Sequence, residues 1–103
     1  MKAIWDPQAR KAMRQIARYI QTRFGAETRK AFIQKVQDAE NLVKLNPNIG
    51  KIDSLFAGRS LTYRSVVING LSKMVYFVKG EIIYIAAFWD TRREPENQAK
   101  QVK

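Results

Sequence analysis

The chain has 103 residues, 46% of them hydrophobic, enough to build one core of ordinary size. Its 19 lysines and arginines stand against 9 acidic residues, a formal charge of +10 that suits nucleic acid, an acidic protein segment or an anionic surface as partner. With no cysteine and no histidine, disulfides, thiolate zinc sites and imidazole catalysis are excluded, and any chemistry falls to carboxylates, Lys, Tyr and Arg.

Lys2 to Trp5 is a short apolar opening. Asp6-Pro7 follows as an N-cap and a proline at the first helical position, where its missing N–H costs nothing. A first helix therefore starts here. Ala9, Met13, Ile16, Ala17, Ile20 and Phe24 recur at helical spacing until Gly25, which suits a left-handed C-terminal residue. A second helix follows at once, with Phe32, Val36, Ala39 and Val43 as its stripe, Ile33 and Leu42 beside it, and Asn46-Pro47 as its stop. The pair reads as an antiparallel hairpin.

From Asn48 to Gly58 turn chemistry takes over. Beyond Arg59 the residues are β-branched or aromatic, punctuated at Asn69-Gly70 and Lys79-Gly80. Three strands are predicted, about Ser60 to Ile68, Ser72 to Val78 and Glu81 to Phe88. Their short connections imply an antiparallel meander, to which Ala3 to Trp5 can add an edge strand. The expected fold class is α+β: an N-terminal helical hairpin packed on a three- to four-stranded, mainly antiparallel sheet. Residues 1–95 read as a single domain and 96–103 as a polar C-terminal tail. No apolar run resembles a signal peptide or approaches the roughly 18 residues of a membrane span, so a cytoplasmic protein with no membrane partner is expected.

The positive charge is concentrated in residues 1–30, with eight basic and two acidic groups. Arg10, Arg14 and Arg18 fall at i, i+4 and i+8, on one face opposite the apolar stripe, with Lys11 beside them. This is either a solvated face or a partner-binding surface. Like charges at that spacing repel by roughly 0.2–0.5 kcal/mol per pair, which a partner would relieve. At the other end, the last apolar strand, EIIYIAAFWDTRREP, closes on an aromatic, a carboxylate and the adjacent Arg92 and Arg93, a plausible arrangement for holding phosphate.

The order of elements can be joined to particular residues. FGAETRKAFIQKV, then LNPNIGKI, then LTYRSVVINGLSKMVYFVKGEIIYIAAFWDTRREP resembles the RelE/ParE superfamily of bacterial type II toxins over roughly Ile4 to Pro95. The shared features are an N-P-x-x-G loop, a lone arginine in the first meander strand (Arg64), a K-x-V-Y-x-V second strand and a D-T-R-x-x-P closing strand. The resemblance implies a small basic toxin that arrests growth and is neutralised by a cognate antitoxin wrapping it, here one with an acidic segment. It also implies one of two targets. Ribosome-dependent nucleases of the RelE kind cut mRNA through attack of a ribose 2′-OH, which needs a proton acceptor, cations at the phosphate and an acid. The positional matches are Lys73, Arg92 and Arg93, as catalytic candidates in a metal-independent reaction. ParE-like members instead bind DNA gyrase and need no acid–base set. Ser60 and Thr62 stand where RelE-like nucleases tend to carry lysines, and Glu94 to Lys103 holds neither Tyr nor His; Lys51, Tyr63 or Asp53 are the available substitutes.

Arg64, Lys51 and Arg59 are the candidates for touching substrate or target. Arg64 alternates with Val66 and Ile68, so it also reads as an internal ion pair or hydrogen-bond anchor, with Asp90 or Glu81 as possible partners. Trp5, Tyr76, Phe88 and Trp89 read as core, with Phe77 and Tyr84 on the other face. Asp90-Thr91 also reads as a turn or cap ending the strand. No metal spacing, triad or phosphate-cradling glycine loop occurs, so neither metal nor cofactor is expected. The rival to a toxin is a non-toxic nucleic-acid- or protein-binding module on the same fold.

Overall fold

The computed structural model describes residues 1–70 and 72–90 of the chain. Strand β1 (Lys2–Trp5) leads into helix α1 (Pro7–Phe24) and helix α2 (Ala26–Leu45). A two-residue strand β2 (Lys51–Ile52) and a 3-10 turn (Ser54–Phe56) come next, and then β3 (Arg64–Val67), β4 (Ser72–Lys79) and β5 (Ile82–Asp90). The sheet order is β1-β5-β4-β3-β2. β1 runs parallel to β5 and every other pairing is antiparallel. Among the described residues, no helix is long and apolar enough to cross a membrane.

The local signals act as their chemistry requires. The Asp6 carboxylate accepts the Gln8 amide at 2.8 Å, and Pro7 occupies the first helical position. Gly25, at φ +96°, ends α1 by donating its amide to the Gln21 carbonyl, and α2 starts at the next residue. No loop intervenes, so the helices fold back on each other as a tight hairpin. Their stripes, Ala9, Met13, Ala17 and Ile20 facing Phe32, Val36, Ala39 and Val43, close over one face of the sheet. There they meet Met74, Tyr76, Ile83, Ile85 and Phe88, all fully buried.

A bulge decides how β5 serves both faces. Tyr76 pairs with Ile85 and Val75 with Ala87, leaving Ala86 as the extra residue. The alternation of side chains reverses there. Ile83, Ile85 and Phe88 consequently all reach the helices, while Ala87 and Trp89 turn to the opposite face and join Phe56, Tyr63 and Val75 in a smaller core. Trp5, at the sheet edge, is half-buried and donates its indole N–H to Glu40 at 2.6 Å, tying β1 to α2.

The helical hairpin and mainly antiparallel sheet are those expected from the sequence, with three differences. The first meander strand is shorter than Ser60 to Ile68, because residues 57–63 are occupied in carrying Phe56 and Tyr63 into the second core. Lys51-Ile52 supplies a fifth strand, too short to leave any alternation. Phe24 and Leu42 are 63% and 50% exposed and stand outside the buried helix stripes.

Candidate target-binding site

β3 and β4 carry two polar anchors on opposite faces of the sheet. On the helix face, Arg64 is level with Tyr76. Its guanidinium donates to the Gly50 carbonyl at 2.9 Å and to the Asn48 carbonyl at 3.5 Å. Tyr76, completely buried, donates its hydroxyl to the Pro47 carbonyl at 2.7 Å and accepts the Gly50 amide at 3.0 Å. Burial pushes the Tyr76 hydroxyl above its ordinary pKa of 10.0, against smaller opposing pulls from the Gly50 amide and the Arg64 charge. Together the two side chains clasp the N-P-x-x-G loop. Gly50 is required by the fit: a Cβ there would stand 2.8 Å from the Tyr76 hydroxyl and 3.0 Å from the Ser65 carbonyl.

Arg64 is thus the internal hydrogen-bond anchor the sequence allows, but its acceptors are backbone carbonyls, neither Asp90 nor Glu81. The register explains why. Arg64 lies level with Tyr76 and Ile85, whereas Asp90 lies level with Ser72 at the far end of β5 and Glu81 precedes the strand.

On the opposite face, Lys73 donates to the Asp53 carboxylate at 2.7 Å, with the two side chains only 14% and 5% exposed. Asp53 also caps the 3-10 turn by accepting the Leu55 amide at 3.0 Å. The Lys73 ammonium lies 5.6 Å from the Trp89 ring centre, and Arg59 sits over Phe56 and Tyr63 at 5.2 and 5.9 Å. Phe56 stacks on Trp89, Tyr63 meets Phe77 edge-on, and Phe77 stacks on Tyr84. An aromatic row with cations laid over it therefore crosses this face. The Trp89 indole N–H finds no acceptor among the described residues.

The structure brings Lys73 and Arg59 onto this face through the shared rings, and places Lys51 exposed on β2, level with Ser65. Arg92 and Arg93 lie outside the described residues. Arg10, Arg14 and Arg18 are exposed along α1, with the Arg10 guanidinium 5.1 Å from the Trp5 ring centre. Sequence reasoning gave Tyr76 only a core role and offered Asp53 only as a substitute in catalysis. No local signal could have found these partnerships, which join residues 26 and 20 positions apart. A separate groove of about 490 Å³ opens between the hairpin and the ends of β4 and β5, lined by Ile16, Tyr19, Phe24, Phe32 and Phe88 among others.

The model of the ParE toxin of the type II toxin–antitoxin system parDE matches residues 3–95. Two solved structures share the fold. A chain of the chromosomal ParDE toxin–antitoxin system from P. aeruginosa is 16% identical, with a TM-score of 0.70 over 87% of this chain and 95% of that one. The YoeB dimer from Staphylococcus aureus is 24% identical, with a TM-score of 0.56 over 90% of this chain and 98% of that one. No curated protein sequence matches.

Proposed function

The chain belongs to the ParE family of type II toxin–antitoxin toxins, and we propose that it arrests growth by binding DNA gyrase and not by cutting mRNA. The observation that carries this reading is the Lys73–Asp53 pair. A nuclease would need the Lys73 charge at a phosphate, yet that charge is spent on a carboxylate 2.7 Å away. Asp53 is held by the same bond and by its cap to Leu55, so both of its carboxylate oxygens already have partners within the fold. Tyr63 is 5% exposed and packed between Phe56 and Phe77. A toxin that acts by occupying a protein surface needs none of these groups free.

The cognate antitoxin completes the reading. Arg10, Arg14 and Arg18 offer an acidic segment a continuous row of charge, and the groove beside α1 offers its apolar side chains a seat rimmed by the exposed Tyr19 and Phe24. The residues beyond Asp90, TRREPENQAKQVK, are basic overall and nearly devoid of large apolar side chains, so charge and composition favour an outside acidic segment over this stretch of the chain.

The test uses purified DNA gyrase in a supercoiling assay, with primer extension across a reporter mRNA shortly after induction in bacteria. Blocked supercoiling with intact mRNA is expected. New cuts confined to translated codons would overturn the reading and make Lys73, Arg92 and Arg93 the residues of a ribonuclease.

A further inference from the structure

We propose that residues 42–52, the end of α2 and the clasped loop after it, form the surface that seats on the gyrase target, and that the complementary gyrase surface is an apolar hollow rimmed by carboxylates. This inference rests on the gyrase reading above and assigns it a face of the molecule.

Nine large apolar side chains stand out among the described residues as exposed, and four of them, Leu42, Leu45, Ile49 and Ile52, fall in this one segment. Leu45 is 84% and Ile52 65% exposed. The others are scattered: Tyr19 and Phe24 border the groove, Met1 and Ile4 lie at the β1 edge, and Val67 is on β3. A soluble domain rarely gathers aliphatics in water without a partner for them. Residues 42–52 also contain no carboxylate; of their two lysines, Lys44 pairs with Glu40 at 3.2 Å and Lys51 is exposed on β2. A partner that covers the aliphatics therefore meets the Lys51 charge on a chain of net charge +10, which argues for acidic groups around an apolar centre. A second copy of this chain, carrying the same +10 charge, would meet repulsion there.

The segment is also held in one shape. The Ile49 amide donates to the Asn46 carbonyl, the Asn48 amide to the Asn46 side chain, and the Asp53 amide to the Tyr63 carbonyl. Tyr76 and Arg64 hold Pro47, Asn48 and Gly50 from beneath. Apart from the exposed Asn46 side chain, these bonds use main-chain or inward-facing groups, so the loop is ordered before binding and Ile49, Lys51 and Ile52 remain exposed on it. Contacts made by a preordered loop lose little to ordering when a partner arrives. Arg64 and Tyr76 act here as positioning residues, giving the loop its form from inside without touching the target.

The experiment measures inhibition of purified DNA gyrase by the full chain and four variants: Ile49→Asp/Ile52→Asp, Ile49→Lys/Ile52→Lys, Tyr76→Phe, and Val67→Asp as an exposed aliphatic elsewhere. Circular dichroism and thermal melts check that each is folded, which surface changes permit. The double aspartate variant should need at least about tenfold more protein for half inhibition, the range seen when interface anchors are lost. The double lysine variant should lose less, because an acidic rim tolerates it. Tyr76→Phe should lose inhibition although no exposed group changes, and Val67→Asp should act as the parent chain does. Equal inhibition by the double aspartate variant overturns the inference while the gyrase reading stands. A parent chain that leaves gyrase untouched defeats both. Greater loss in the lysine than in the aspartate variant overturns the acidic rim.

Discussion

On one face of the sheet Met74, Tyr76, Ile83, Ile85 and Phe88 lie beneath two helices; on the other, Val75, Ala87 and Trp89 lie beneath a short loop that carries Phe56 and Tyr63. The first face has a broad cover of regular structure. Among the described residues, the second is closed by fewer side chains and by a buried ion pair, Lys73 with Asp53. The difference teaches where the fold keeps its stability and where it keeps polar groups near solvent. Helices can bury a wide apolar surface because their own backbone is satisfied internally, whereas a loop must find acceptors and donors for its main chain, and Asp53 meets that need at Leu55 and Tyr63.

The sharpest probe of that contrast is truncation of one phenylalanine from each core, followed by urea unfolding. Phe88→Ala should cost about 4 kcal/mol and Phe56→Ala about 3 or less, since a loop collapses onto a void more readily than a helix pair. The opposite order would erase the distinction between a principal and a subsidiary core. Next in size is Lys73→Ala, which strands the Asp53 carboxylate in a site only 5% exposed and should cost about 3 kcal/mol. The combined change Lys73→Met/Asp53→Leu should return most of that loss in the same assay. A single-mutant cost below about 1 kcal/mol would mean that the pair behaves like a surface bridge.

On the helix face, Gly50→Ala forces a methyl against the Tyr76 hydroxyl and the Ser65 carbonyl and should cost about 1–3 kcal/mol. Pairing it with Tyr76→Phe, which removes one of the two obstacles, should reduce the penalty; additive losses would place the strain elsewhere. The smallest effect is one of pH. Tyr76 has its pKa raised in the folded chain, so its neutral form favours folding: the contribution is complete below about 10 and is lost as pH rises through the folded value. Thermal melts across alkaline pH should show stability falling, with a shallower fall in Tyr76→Phe.

How far the sequence foretold these features depends on how local each one is. The start of α1 at Asp6-Pro7, the reversal at Gly25 and the turns at Asn69-Gly70 and Lys79-Gly80 each rest on two or three neighbouring residues, and each is where the pattern puts it. The parallel sense of β1, the bulge at Ala86 and the two-residue β2 rest on pairing between distant segments, which composition does not encode. The same division runs through the site. Lys73 reads from the sequence as a strand cation and Arg64 as a strand arginine needing acceptors. That Lys73 is answered by a loop carboxylate and Arg64 by main-chain carbonyls depends on where residues 46–53 cross the sheet.

The parallel pairing of β1 with β5 has a consequence for the chain as it is made. Lys2 leaves the ribosome well before its partner Ile82, which lies 80 positions later in the chain. Until β5 emerges, β1 has no strand to pair with, Phe88 is missing from the larger core and Trp89 from the smaller one. The two cores therefore close together, and only once β5 has left the ribosome.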